Sequence, residues 1–109
     1  MADDTLLSLA ATIAARRHAS NDTSYTRQLL DGGVPKCARK FGEEAVETII
    51  AALGGDDGAL TGEAADLIYH LLVLLEVRRV PLADVLKRLE ARMGQSGLQE
   101  KASRAQTKG

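Results

Sequence analysis

Apolar residues recur along this chain at helical spacing, and glycine and proline mark where the spacing breaks. Leu6, Ala10, Ile13 and Ala14 predict a first helix from about Asp4 to about Ala19, with Asp3 or Asp4 placed to cap its start. The turn-rich stretch SNDTSYTRQLLDGGVPK holds a short helix around Thr26 to Leu30, before Gly32, Gly33 and Pro35 interrupt the pattern. A second long helix is expected from near Pro35, a residue tolerated in a first helical turn, to near Leu53. GGDDG reads as a loop, Thr61 as the cap of a third long helix reaching about Val77, and Pro81 as the start of a fourth. In that last segment Leu82, Val85, Leu86, Leu89 and Met93 share one face. No stretch of any length alternates with period two, and no segment repeats another. The expectation is an all-α fold, a small helical bundle of four main helices.

The third long helix changes that picture. Ala64, Leu67, Ile68, Leu71, Leu72, Val73, Leu74 and Leu75 cover almost its whole circumference, and a helix apolar all round must be buried all round. Three other helices of a chain this short have trouble surrounding it, so a homodimer with this helix near the interface is expected. With 109 residues the chain suits one domain: a helical body over residues 1–95 and a polar tail over 96–109 that belongs to the same domain. Aromatic residues make up only 3%, so Ala, Leu and Val do the packing. A net charge of −1 lacks the basic excess of a general nucleic-acid binder. The single cysteine, Cys37, has no partner for an intramolecular disulfide and reads as a small packing residue. MADDTLLSLA lacks the basic start of a signal peptide, and the most apolar run, Leu67 to Leu75, is far short of the roughly 20 residues of a membrane span. A cytoplasmic location, away from membranes, is the expectation.

Against this apolar background the carboxylates stand out. KFGEEAVETII places Glu43, Glu44 and Glu47 on one arc of the second long helix, all within about 100°. Phe41, Ala45, Ile49 and Ala52 lie on the other side. GEAADLIYHLL sets Glu63 and Asp66 about 60° apart near the start of the third. On an exposed helix such acid pairs cost only about 0.2–0.5 kcal/mol and are ordinary surface chemistry. The third helix, however, has little solvated face to offer. If it packs antiparallel on the second, the two acid groups face each other. Two like charges about 5 Å apart, at an effective dielectric near 20, repel by roughly 3 kcal/mol. Four such groups stay ionised and close only with cations between them, and an all-oxygen donor set favours Mg²⁺ or Mn²⁺ over Zn²⁺. A magnesium-dependent site handling polyphosphates follows from that chemistry.

EEAVE followed after a loop by EAAD resembles the motif pair of the all-α, MazG-like nucleoside triphosphate pyrophosphohydrolases. Within that superfamily the chain looks most like the phosphoribosyl-ATP pyrophosphatases of histidine biosynthesis. SYTRQLLDGG (residues 24–33), EAADLIYHLLVLL (63–75) and SGLQEKASR (96–104) extend the likeness in colinear order over nearly the whole chain. The resemblance implies hydrolysis of phosphoribosyl-ATP to phosphoribosyl-AMP and pyrophosphate. It implies Glu44, Glu47, Glu63 and Asp66 as metal ligands, with Glu43 either a further ligand or a helper that orients water. It makes Lys101 and Arg104 of the tail candidates for holding phosphates, and Ser24, Tyr25 and Thr26 candidates for lining the substrate pocket. Lys40 either contacts phosphate or pairs with the acids. The activity is often fused to a phosphoribosyl-AMP cyclohydrolase domain. Here no cysteine-rich zinc-binding sequence precedes the first helix, so a stand-alone pyrophosphatase is expected.

The remaining polar residues receive plainer readings. His70, four residues after Asp66, either orients that carboxylate or is a hydrogen-bonded structural histidine; His18 reads as a surface residue, and Tyr69 as helix packing. Two other functions fit parts of the pattern. A house-cleaning (d)NTP pyrophosphatase of the same superfamily shares the metal site and differs around base and ribose. A non-catalytic helical dimerisation module treats the acids as decoration and predicts indifference to Mg²⁺.

Overall fold

The computed structural model describes residues 2–94, with side chains from Thr5 onward. Five α-helices follow in order: α1 (Ala2–Ala15), α2 (Tyr25–Asp31), α3 (Gly33–Gly54), α4 (Asp57–Val77) and α5 (Leu82–Met93). A 3₁₀ turn, Arg16–His18, follows α1, so the first helix ends four residues before the expected Ala19. The carbonyls of Arg17 and Ala19 turn outward there and accept hydrogen bonds from the Arg27 guanidinium at 2.9 and 2.8 Å. The predicted capping role of Asp3 or Asp4 lies outside the described side chains. No strand occurs among the described residues, as an all-α chain requires.

α2 exists because Ser24, in extended conformation, caps it: its Oγ accepts the Arg27 N–H at 3.2 Å. α3 and α4 form the long hairpin that organises the molecule. The expected GGDDG loop is nearly absent. Gly55 takes a left-handed φ of 82° to end α3, and Asp56 immediately caps α4 by accepting from Gly58 N at 2.9 Å and Ala59 N at 3.4 Å. Thr61 is therefore not the cap; it lies within α4, its hydroxyl bonded back to the Asp57 carbonyl at 2.8 Å. The carboxylate of Asp56 outcompetes Thr61 because it reaches two free N–H groups at once. So short a connection forces the helices antiparallel, and Thr48 meets Glu63 while Glu44 meets His70.

The core lies at one end of this hairpin. Ile13 of α1, Leu29 and Leu30 of α2, Cys37 of α3, and Leu72 and Val73 of α4 are buried together, with Leu9, Tyr69, Leu74, Leu75, Val77 and Leu82 packed around them. By length and composition α4 is apolar enough to cross a bilayer, but its His70, Leu72 and Val73 are inside the chain's own core. The same helix is not enclosed all round: Ile68 is exposed. α5 buries no residue; Leu82, Val85 and Leu86 are half-covered, whereas Leu89 and Met93 of the same stripe are exposed.

Candidate active site: a carboxylate cage between α3 and α4

The seam between α3 and α4, away from the core, contains the acids. A 100° step separates neighbouring helical residues, which suffices to send Glu43 and Glu44 in different directions. Glu44 points into the seam, its side chain 17% exposed, while Glu43 stays at the surface beside Lys40 Nζ (3.3 Å) and Arg39 Nε (3.7 Å). Ile49, expected on the face away from the acids, is exposed to solvent. From α4, Glu63 and Asp66 rise one turn apart on the facing side. Carboxylate oxygens of Glu44, Glu63 and Asp66 lie within 4.8 Å of one another. Glu47, a turn beyond Glu44, lines a cleft of about 480 Å³ with Glu63, Asp66 and Ile50, floored by Gly58, Ala59 and Gly62. The structure thus brings four of the five predicted acids to one place and leaves Glu43 outside it.

The electrostatics of the cluster are unbalanced. Burial pushes the Glu44 carboxyl above its ordinary range, reinforced by the neighbouring Glu47 carboxylate and by the charges of Asp66 and Glu63. Glu63 is raised for the same reasons, burial first and then Glu47 and Asp66. Among the described residues the basic group beside Glu44 is His70, its Nε2 3.9 Å from Oε1, and burial, then Lys40, holds the His70 pKa below its usual value. The other oxygen, Oε2, is buried with no hydrogen-bond partner. An ionised oxygen left without a donor away from water costs far more than a neutral one. Converging carboxylates with an unpartnered oxygen and no soft donor fit a hard divalent cation.

His70, beside Glu44, belongs to a cluster of three rings with Tyr25, expected at the substrate pocket, and Tyr69, expected to serve helix packing. The His70 ring is edge-on to Tyr69 at 5.0 Å and to Tyr25 at 6.3 Å, and Tyr25 stacks on Tyr69 at 6.5 Å. The three residues of the predicted substrate block have separate fates. Ser24 is buried as the cap of α2, and Thr26 shares a hydrogen bond with the Tyr69 hydroxyl. Tyr25 alone presents an exposed surface. Lys40 pairs with Glu43 at 3.3 Å and is close enough to influence His70. Lys101 and Arg104 lie outside the described residues. Thr48 was not singled out from the sequence; it occupies the seam one turn past Glu44, and its i+4 spacing from Glu44 was the available signal.

The model of the phosphoribosyl-ATP pyrophosphohydrolase family matches residues 6–93 of the chain. Among curated relatives, the phosphoribosyl-ATP pyrophosphatase of Dinoroseobacter shibae is 61% identical over 99 residues, covering 91% of this chain and 97% of the relative. Proteins of the same name from Rhizorhabdus wittichii and Erythrobacter litoralis are each 59% identical; the matches cover 92% and 93% of this chain, and 94% and 97% of those proteins.

Proposed function

The chain belongs to the phosphoribosyl-ATP pyrophosphohydrolase family, and from that membership we infer its reaction. It hydrolyses phosphoribosyl-ATP to phosphoribosyl-AMP and pyrophosphate, a step of histidine biosynthesis. Water adds to the α-phosphorus, the α–β anhydride bond breaks, and pyrophosphate leaves with the bonding electrons.

For this chain we propose that Glu44, Glu47, Glu63 and Asp66 hold Mg²⁺, with Mn²⁺ as a substitute. The observation that supports this most directly is the buried, unpartnered Glu44 Oε2, with carboxylate oxygens of Glu44, Glu63 and Asp66 within 4.8 Å of one another. When bound, the cation neutralises phosphate oxygens and the leaving pyrophosphate. The chain's own residues do the rest. A carboxylate of the cluster not fully engaged with metal takes the proton of the attacking water. Glu43, paired with Lys40, orients water, and Lys40 contacts phosphate. His70 backs Glu44 and limits where its carboxylate swings. Ser24 and Thr26 fix α2 so that Tyr25 faces the substrate. Lys101 and Arg104 of the tail 96–109 are the proposed phosphate contacts, which would make body and tail one functional domain.

Self-association completes the proposal. Val46, Ile49, Ile50 and Leu53 form an apolar stripe on α3 that is 55–84% exposed, and a second copy of the chain is its proposed cover. The enzyme acts in the cytoplasm on a small-molecule substrate, without nucleic acid or membrane. Pyrophosphate release with Mg²⁺ tests the reading, with phosphoribosyl-ATP compared against ATP and a dNTP panel. Strong preference for phosphoribosyl-ATP, abolished by chelator, is the expected result. Comparable turnover of dNTPs moves the chain to nucleotide housekeeping, and no turnover of any of them leaves a dimerisation module.

A further inference from the structure

Thr48 is a polar residue in a seam where an apolar one would pack as well. Burying a hydroxyl is unfavourable unless it is hydrogen-bonded, so its presence there calls for a physical reason. Its Oγ1 lies 2.7 Å from the backbone carbonyl of Glu44 and 3.3 Å from that of Glu63. The first contact is the ordinary back-bond of a threonine to the residue four before it. The second crosses from α3 to α4. A carbonyl has two lone pairs, so the Glu63 oxygen accepts the hydroxyl in addition to its own helical N–H. One proton is thus shared between the main chains of two residues whose carboxylates converge in the cage.

We propose that Thr48 is a positioning residue for the metal site: its hydroxyl sets the spacing and register of α3 against α4 at the level of Glu44 and Glu63. The inference rests on the magnesium reading of the carboxylate cage. Unoccupied by metal, the like charges of Glu44, Glu47, Glu63 and Asp66 push the two helices apart. The Thr48 bridge opposes that separation directly at the backbone, where side-chain rotamers cannot absorb it. A cage held at the right width before metal arrives loses less freedom on binding it, and neighbours that orient ligands in this way are typically worth 10–100-fold in metal affinity or activity.

The test is Mn²⁺ binding by electron paramagnetic resonance and by calorimetry on Thr48→Val and Thr48→Ser, alongside melting in chelator and the Mg²⁺ concentration giving half-maximal activity. Valine keeps the volume and the β-branch and deletes the hydroxyl; serine keeps the hydroxyl. The expected result is Mn²⁺ affinity about tenfold weaker in Thr48→Val, with a parallel rise in the Mg²⁺ requirement, and recovery to near the parent value in Thr48→Ser. Metal-free melting of the Val variant falls modestly, since the bridge that holds the two helices together is lost, and Thr48→Ser restores it. Unchanged Mn²⁺ affinity in Thr48→Val, with a metal-dependent parent, overturns this role and leaves the cage intact. A Ser variant as defective as Val also overturns it, because packing and not the hydroxyl is then responsible. A parent that binds no Mn²⁺ sinks the cage and this inference together. Should Thr48→Val fail to fold, Thr48→Cys carries the same expectation, its thiol being similar in size and a much weaker donor.

Discussion

The two ends of the α3/α4 hairpin are built from similar residues and reach opposite outcomes. At the core end Cys37, Leu72 and Val73 are buried under α1 and α2. At the turn end Val46, Ile50 and Leu53, equally apolar, stand 55%, 63% and 84% exposed, and the seam beside them is filled with carboxylates. The difference arises from coverage. α1 and α2 are short and pack on one end, so the other end keeps its apolar residues exposed and its acidic seam open. The buried core and the proposed site thus lie at different ends of one pair of helices.

The sharpest way to break this contrast is to remove charge from the seam. Glu44→Gln is expected to lower pyrophosphate release by at least about a hundredfold while raising, or leaving unchanged, the melting temperature in chelator. Loss of fold in that variant would show Glu44 to be a structural residue. At the core end, Leu72→Ala is expected to cost about 2–5 kcal/mol by denaturant unfolding, with the metal requirement unchanged. On the exposed stripe, Leu53→Asp should leave the helical circular dichroism intact and weaken self-association by about ten- to a hundredfold in sedimentation; an unaltered oligomer places the contact elsewhere. Ser24→Ala, which removes the α2 cap, is expected to cost about 1 kcal/mol and to affect KM only through that loss of order.

A pH series gives the smallest and most diagnostic effect. Glu44 and Glu63 titrate above their unfolded value of about 4.3, so the proton they hold favours the folded state. That contribution is fully present below about pH 4.3 and is lost as pH rises through the raised folded values. In chelator, therefore, these groups make the protein less stable at pH 7 than at pH 5. Magnesium, which binds the ionised carboxylates, should reverse the slope. His70, whose pKa burial lowers, contributes the opposite slope in both conditions, so the difference between thermal melts with and without Mg²⁺ reads the carboxylates' share, and identical slopes would remove metal from the account.

Much was legible from residue order alone because it is local. The periodicity of Leu6, Ile13, Leu82 and Leu86, the breaks at Gly32 and Gly33, and the acids at EEAVE and EAAD needed no tertiary information. The helix that reads as apolar all round buries His70, Leu72 and Val73 in the chain's own core and leaves Ile68 exposed. Other features were decided by competition or rotation. Asp56 displaced Thr61 as a cap because a carboxylate reached two free N–H groups first. Glu43 and Glu44, adjacent in sequence, parted because only the docking of α4 fixes which direction on α3 is inward. The sequence by itself determined which helices form and that acids cluster on two of them, since both follow from spacing along the chain. The tertiary structure decided which oxygens meet, that one of them lacks a donor, and that Thr48 bridges the main chains of Glu44 and Glu63, since each depends on the rotation and register of one helix against another.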